Sequence, residues 1–391
     1  MMSELAMLFP EMRAVLERAD VALSGRMAEK RVPGGSLSRS IFARALYDDA
    51  ARKAAMQQLT RTDVAQPALG TVEAGLLEVL KQLGVRADMA AGHSYGELVA
   101  LYFAGVMTLD QLLTVSEARG RFMIDGAAGR DLGTMAAVHA GREAVERAIE
   151  GMADVWIACH NAPSQLVLSG TKGGVVAAIE HLNRIGLSSE LIHVGAAFHS
   201  PIVSPAADPL TALIRTLPLK APRITVYSNQ SANRYPDDVE DLRRLLEQQL
   251  LSPIQFVAEI ERMHADGARV FLSVGPKSAQ SGMIRQIMQG KPHRAVSCDD
   301  GSGGLKGLLQ CLAALSAEGA ELDLAPLWSN RDCRLLDETL AAAPRSPTPK
   351  PHMWLLNGGS ARQFGTPPLP VVTVEGATEM RTRGAVTGVQ T

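Results

Sequence analysis

The sequence predicts an α/β protein: a large body that contains a parallel β-sheet and carries a smaller inserted α+β unit. Two patterns predict it. Short apolar segments alternate with amphipathic helical segments over most of the 391 residues. Near residue 125 a run of short strands and helices interrupts this pattern, which resumes near residue 195. We therefore expect a body formed by residues 1–124 and 195–320, an inserted unit over 125–194, and a linker and tail over 321–391.

Helices dominate the first part of the body. Apolar residues recur at helical spacing between residues 5 and 16, and a further amphipathic helix is expected to open at Pro67 and to stop at Gly84. The apolar segment 87–92 then fits a buried strand, and residues 97–105 and 109–124 predict two more helices. A strand between helices is typical of a parallel sheet, because parallel strands need crossover connections.

The inserted unit has the order strand–helix–strand–strand–helix–strand, which predicts a ferredoxin-like subdomain. Its strands are expected over 133–140, 155–161, 164–170 and 188–194, and its helices over 142–151 and 174–186. The body then resumes with strands over 223–229 and 269–276 and helices between and after them. From about Ala341 the chain is rich in Pro, Ser, Thr and Gly, which predicts an extended linker over 344–351 and a loose tail.

Composition excludes several classes of function. The formal net charge is −2 and the pI is about 6.5, so no basic surplus indicates nucleic acid or an anionic membrane surface as a partner. The sequence has no apolar run of the length of a membrane span and no signal-peptide pattern at its start. The four cysteines match no metal or redox spacing, so we expect a cytoplasmic protein with free thiols.

The segment 92–96, GHSYG, fits the pattern G-x-S-x-G. In this pattern a strand turns at once into a helix with the serine at the tip, and the flanking glycines leave room for the strained backbone. The N–H of Tyr95 can then stabilise an oxyanion at the helix N-terminus. The strand and helix expected on either side meet this requirement. The pattern predicts an α/β-hydrolase-like body with Ser94 as the nucleophile; a glycine-rich turn with an N-capping serine is the alternative.

A serine nucleophile needs a general base. Of the nine histidines, His199 is the strongest candidate because it follows an apolar strand and precedes a proline, in a loop of the kind that converges on a site. His93 is adjacent to the serine, but neighbouring side chains on a turn point apart. A purely structural role is the alternative for each histidine.

Arg119 lies on the apolar face of the helix expected over 109–124, whereas Arg121 lies off it. A buried guanidinium needs an anionic partner, because an unpaired buried charge is very costly. The partner is either an acidic side chain elsewhere in the chain or the carboxylate of a substrate, which an arginine can bind with two parallel hydrogen bonds.

Seven motifs together resemble the malonyl-CoA:acyl-carrier-protein acyltransferases, which include the acyltransferase domains of type I polyketide synthases. The resemblance runs from about residue 3 to residue 320. The motifs GHSYGE and WLLNGGSAR further resemble the enediyne and polyunsaturated fatty acid synthases. The seven motifs are TDVAQPAL (62–69), GHSYGE (92–97), EARGRFM (117–123), NAPSQLVLSG (161–170), AAFHSP (196–201), QQLLSPIQF (248–256) and SVGP (273–276).

The resemblance implies roles in acyl transfer for the matching positions. Ser94 would take the acyl group from CoA as an ester, and His199 would act first as the base and then as the acid. The backbone carbonyl of Gln249 would orient the histidine, and the Tyr95 N–H would be an oxyanion donor. Arg119 would bind the malonyl carboxylate.

Further matching positions would form the substrate pocket. Gln66, Asn161 and Tyr95 would line it, and Phe198 fits a pattern associated with malonyl rather than methylmalonyl units. Tyr95 and Ala196 both depart from the residues usual in the family. The resemblance also implies an acyl carrier protein and neighbouring synthase domains as partners. The substrate would be a CoA thioester, and the partner would carry the phosphopantetheine. No metal or bound cofactor is expected.

One departure concerns the start of the chain. The family begins with a strand and a GQGSQ-type loop that supplies a second oxyanion donor, and this sequence starts just after the position of that loop. We therefore expect a central sheet that lacks one strand and an oxyanion hole that keeps only the Tyr95 N–H. Losing one such donor costs roughly 100- to 1,000-fold in rate.

Two alternatives to the acyltransferase remain open. A thioesterase-type serine hydrolase would use the same turn to release acyl groups, but it has no need of a buried arginine for a carboxylate. A non-catalytic docking fragment of a megasynthase would carry the motifs without the activity.

Overall fold

A computed structural model describes residues 2–27, 35–43, 47–192, 194–277, 279–299, 301 and 303–329, together with the backbone of two short strands further on. The chain divides into two compact units, Met1–Ser329 and Asn330–Thr391. In the second unit, β9 (Trp354–Asn357) and β10 (Ser360–Gln363) form an antiparallel pair. The linker predicted over 344–351 lies outside the described residues.

Helices form most of the first unit. No helix among the described residues has the length and apolar content that crossing a membrane requires. The helices are α1 (Ser3–Leu8), α2 (Pro10–Leu23), α3 (Leu37–Ile41), α4 (Asp49–Thr60), α5 (Thr62–Gln82), α6 (Gly96–Phe103), α7 (Leu109–Ala127), α8 (Arg142–Ile149), α9 (Lys172–Arg184), α10 (Ala207–Thr216), α11 (Val239–Gln248), α12 (Phe256–Ala265), α13 (Ala279–Ile287) and α14 (Gly304–Ala317).

The helix expected to open at Pro67 opens at Thr62 instead. Pro67 has no backbone N–H, so α5 lacks one helical hydrogen bond. The helix tolerates this loss because most of α5 is buried between α2 and α7. The close approach of α5 and α7 depends on Gly120, where an added Cβ would lie 2.3 Å from the carbonyl oxygen of Thr62. This contact fixes Gln66 on α5 relative to Arg119 on α7.

The body contains parallel strands, so the predicted α/β class with a parallel sheet is confirmed. The strand β1 (Met89–Ala90) pairs with β6 (Thr225–Val226), and β7 (Val270–Ser273) pairs with β8 (Arg294–Ser297). Among the described residues these are two separate parallel pairs rather than one continuous sheet. The ends of β1 and β6 lie side by side, because Met89 is in register with Thr225 and Ala90 with Val226. The loops that leave these two strands therefore start next to each other.

The inserted unit forms a four-stranded antiparallel sheet in the order β3–β4–β2–β5. Its helices α8 and α9 pack on the strands around a small core of its own, which includes Val138, Val145, Leu166 and Leu168. Residues of the sheet also pack against α12 and α13, and the His160 N–H donates to the carbonyl of Ile254 at 2.8 Å. The strands are β2 (Thr134–Val138), β3 (Val155–Ala162), β4 (Gln165–Gly170) and β5 (Ser189–Ile192).

Candidate active site

Ser94 lies on the sharp turn between β1 and α6. Its φ of +54° is in the left-handed region, which is uncommon for a residue other than glycine. The turn is tight, since a Cβ added at Gly92 would lie 2.0 Å from the carbonyl carbon of Gly96. The local geometry is that of the serine turn predicted from G-x-S-x-G.

The structure brings His199 to Ser94 across 105 positions of sequence. The Nε2 atom of His199 lies 2.7 Å from the Ser94 Oγ. On the other side of the ring, Nδ1 lies 2.8 Å from the backbone carbonyl oxygen of Ser252. A carbonyl can only accept, so Nδ1 carries the proton and Nε2 presents its lone pair to the serine hydroxyl. This is the tautomer that a general base for Ser94 requires.

The orienting carbonyl differs from the one predicted. The 2.8 Å hydrogen bond goes to Ser252, while the backbone of Gln249 only contributes, after Ser252, to raising the pKa of His199. The reason is the turn after α11, in which the N–H groups of Leu251 and Ser252 both donate to the carbonyl of Gln248. This turn brings the Ser252 carbonyl to the ring.

The side chain of Gln249 instead joins three parts of the site. Its Nε2 donates to the backbone carbonyl of Ser94 at 2.8 Å, and its Oε1 accepts from Arg119 Nη2 at 3.4 Å. Nε2 also lies 3.4 Å from Glu97 Oε2. No sequence pattern indicated this side-chain role.

Arg119 is buried, with 2% of its surface exposed, as the helix pattern predicts. Its Nη1 donates to Gln66 Oε1 at 2.9 Å. No carboxylate among the described residues forms an ion pair with it, and its Nε atom has no hydrogen-bond partner there. The Nε2 of Gln66 is also buried without a partner. Burial lowers the pKa of Arg119 to about 10, so the guanidinium remains a cation at neutral pH.

Burial also determines the protonation state of His199, whose surface is 3% exposed. Removal from water lowers its pKa to about 3, and the positive charge of Arg119 contributes in the same direction. The imidazole is therefore neutral at physiological pH and able to accept a proton.

Three further predicted residues lie around this centre. Asn161, at the end of β3, has its Oδ1 2.7 Å from His93 Nε2. The Tyr95 side chain is buried and its hydroxyl lies 2.6 Å from the Ser116 Oγ. Phe198 is half-buried and packs against the core of the body. The backbone N–H of Tyr95 meets no acceptor in the part of the chain that the structure describes.

Asn229, which no sequence motif singled out, is completely buried beneath the serine turn. Its Oδ1 accepts from the Ser94 N–H at 2.6 Å, and its Nδ2 donates to the Gly92 carbonyl at 2.5 Å. A signal was present, because Asn229 lies at the carboxyl end of the predicted strand 223–229. Polar residues at the carboxyl ends of adjacent parallel strands meet at one edge.

Comparisons with known proteins find similarity over most of the chain. The sequence model of the family described as "Acyl transferase domain" matches residues 13–299. A polyunsaturated fatty acid synthase chain from a Thraustochytrium species is 30% identical over 299 residues, which are 75% of this chain and 10% of that protein. The chain thus spans about a tenth of the length of that relative.

Two shorter proteins are similar over most of their own length. The "Malonyl CoA-acyl carrier protein transacylase" of Bacillus subtilis is 32% identical over 237 residues, which are 59% of this chain and 74% of that protein. The solved acyltransferase domain from the second module of the salinomycin polyketide synthase has a TM-score of 0.71 at 25% identity. That likeness covers 88% of this chain and 74% of the solved one.

Proposed function

Because this chain belongs to the acyl transferase domain family, we propose that it moves a malonyl group from CoA to the phosphopantetheine thiol of an acyl carrier protein. The group passes through an ester on Ser94. The reaction serves polyketide or fatty acid synthesis, and neighbouring synthase domains are the further partners. The substrate supplies the CoA thioester and the carrier supplies phosphopantetheine, so the proposal needs no resident cofactor.

The first half-reaction follows from the hydrogen bond between Ser94 and His199. As the Ser94 Oγ attacks the thioester carbonyl, Nε2 of His199 accepts the hydroxyl proton. The Tyr95 N–H stabilises the oxyanion that forms on the carbonyl oxygen. Collapse of this intermediate breaks the C–S bond, and His199 returns its proton to the CoA sulfur. In the second half-reaction the carrier thiol gives its proton to His199 and attacks the ester carbonyl. The C–O bond to Ser94 then breaks, and His199 returns the proton to the Ser94 Oγ.

A single observation supports a malonyl rather than a simple fatty acyl group. Arg119 is a buried cation without a carboxylate partner among the described residues, and its Nε and the neighbouring Gln66 Nε2 are both unsatisfied. Buried donors without acceptors are costly, so a ligand that brings an acidic group compensates them. The free carboxylate of a malonyl ester is such a group.

The same pocket would disfavour loss of the ester to water. An ester held at its far end by Arg119 stays in one pose for the incoming carrier thiol. Phe198 and Asn161 complete the proposed pocket, and Phe198 favours the malonyl unit. A hydrolase of apolar acyl chains would gain nothing from the buried cation.

The proposal extends to the domain organisation. We assign residues 1–124 and 195–320 to an α/β-hydrolase-like catalytic body and residues 125–194 to a ferredoxin-like subdomain. The strand order β3–β4–β2–β5 supports the second assignment. A cytoplasmic location, predicted from the cysteines, is part of the same proposal.

Intact-mass analysis after incubation with malonyl-CoA tests the function. We expect one malonyl addition on wild-type protein, none on Ser94→Ala, and loss of the label when a phosphopantetheinylated carrier protein is added. Rapid release of free malonate without a carrier would support a hydrolase. Absence of any label would support a non-catalytic docking role.

A further inference from the structure

The amide of Asn229 is bonded at both ends beneath the nucleophile. Its oxygen accepts from the backbone N–H of Ser94 at 2.6 Å, and its nitrogen donates to the carbonyl of Gly92 at 2.5 Å. The second hydrogen of that nitrogen is directed to Glu259 Oε2 at 2.7 Å. Asn229 and Glu259 are both 0% exposed. All of the hydrogen-bonding donors of the amide are thus used.

These bonds hold the backbone at Ser94, which has an unfavourable conformation. Ser94 has a φ of +54°, where an L-residue pays a steric cost that glycine does not. The two atoms that Asn229 contacts, the Gly92 carbonyl oxygen and the Ser94 N–H, both belong to the backbone that leads into this strained position. A side chain that bonds both of them holds the backbone segment from which the Ser94 side chain projects toward His199.

Two buried carboxyl groups anchor Asn229 in turn. Glu259 on α12 accepts from its side chain, and Glu97 Oε2 on α6 accepts from its backbone N–H at 3.4 Å. Glu97 also accepts from the Tyr235 hydroxyl and from Gln249. The serine turn is thereby connected to α6 and α12 at once.

We propose that Asn229 is a positioning residue for acyl transfer, which holds the Ser94 backbone in its reactive conformation through its amide and through Glu259. The proposal rests on the proposed function, but the role concerns the reactivity of the serine with any electrophile. Only an amide fits, because the site needs one acceptor for Ser94 and two donors for Gly92 and Glu259.

Asn229→Asp tests the role, since it keeps the acceptor and the shape and removes both donors. We expect two rates to fall by about 100-fold: the modification of Ser94 by a fluorophosphonate probe, and the single-turnover acylation by malonyl-CoA. A loss of this size is typical when a reacting atom is misplaced by about 1 Å. The concentration of malonyl-CoA that gives half the maximal acylation rate should stay within about threefold of wild type, because Asn229 contacts neither Arg119 nor Gln66. Equal reactivity of the variant and the wild type would overturn the proposal.

A compensating second substitution distinguishes a positioning role of Asn229 from a loss of folding. In Asn229→Asp combined with Glu259→Gln, the new amide donates to the new carboxylate, and we expect at least about tenfold of the lost rate to return. Glu259→Gln alone keeps an oxygen that accepts from Asn229, and its rate completes the double-mutant cycle. The exposed Asn233→Asp, in the same loop, is the matched control. A double variant as slow as the single one, with normal thermal unfolding, would contradict the role.

The two reagents separate this inference from the proposed function. A wild-type protein that reacts with the fluorophosphonate but not with malonyl-CoA would refute the substrate, and the fluorophosphonate rates would still decide the role of Asn229. A wild-type protein that reacts with neither would overturn both.

Discussion

At the residue scale, burial makes the His199 imidazole a base. Its hydrogen bond to the Ser252 carbonyl directs the free lone pair at Ser94, while removal from water lowers the ring pKa and disfavours the charged form. The positive charge of Arg119 lowers the His199 pKa further, because it would repel the protonated imidazole. The same buried guanidinium is proposed to bind the substrate, so one side chain serves both selectivity and the charge state of the base.

The lowered pKa of His199 predicts an unusual pH dependence. The neutral form is the active base, and with a pKa of about 3 it predominates at every pH well above that value. The acylation rate should therefore change less than about twofold between pH 8 and pH 5, whereas a histidine with an ordinary pKa of about 6.5 would lose about 30-fold. Single-turnover labelling of Ser94, with circular dichroism at each pH to confirm folding, measures this. A fall with a midpoint near pH 6.5 would contradict the assignment.

Substitution of the buried cation tests acyl selectivity. In Arg119→Ala, transfer of malonyl should fall by roughly 10- to 100-fold, which corresponds to the loss of a charge-assisted hydrogen bond of about 1.5–3 kcal/mol. Transfer of acetyl should change by less than about threefold, because acetyl has no carboxylate. Competition between labelled malonyl-CoA and acetyl-CoA gives both values from one sample. The exposed Arg130→Ala serves as the control, and equal losses for the two acyl groups would count against the role.

At the element scale, two contacts assemble the site. The parallel pair β1–β6 brings the loop with Ser94 next to the loop with Asn229, although 135 positions separate them in sequence. The close packing of α5 on α7 brings Gln66 within 2.9 Å of Arg119. Neither contact is local, so each depends on how whole elements pack.

Gly120 allows the second contact, and its replacement should be costly. A Cβ there would lie 2.3 Å from the Thr62 carbonyl oxygen and 2.6 Å from the Asp63 Cα, so α5 and α7 would have to separate. We expect Gly120→Ala to lower the free energy of unfolding by about 1–3 kcal/mol and to slow malonyl transfer. Urea unfolding measures the first effect. Gly173→Ala, on α9 with no atom within 4 Å of the added Cβ, should be neutral or stabilising by up to about 1 kcal/mol.

At the scale of the whole molecule, the site belongs to the first compact unit, Met1–Ser329. Within it, the inserted four-stranded sheet contributes Asn161, which bonds His93 beside the nucleophile. The body contributes Ser94, His199, Arg119 and Asn229. The inserted sheet therefore reaches the candidate site through Asn161.

A chain that ends at Ser329 should keep this site. We expect it to unfold within a few degrees of the full-length chain and to take one malonyl group on Ser94 at a similar rate. Thermal unfolding and intact-mass analysis, with Ser94→Ala as the unlabelled control, check this. A truncated chain that folds but takes no label would show that residues 330–391 contribute to the reaction.

The sequence by itself determined the features that depend on local pattern. The α/β class followed from hydrophobic periodicity, the serine turn from the glycines around Ser94, and the buried position of Arg119 from the apolar face of one helix. The seven motifs identified the family, which the match over residues 13–299 confirms.

Only the tertiary structure decided which groups meet. Ser94 and His199 approach to 2.7 Å, His199 is oriented by the carbonyl of Ser252, and Asn229 spans the serine turn. Backbone carbonyls carry no signature in the residue type, and an asparagine at the end of a strand is common, so the sequence could not single them out. Distances between elements far apart in the chain, and the burial that sets the charge of His199, arise only when the elements pack together.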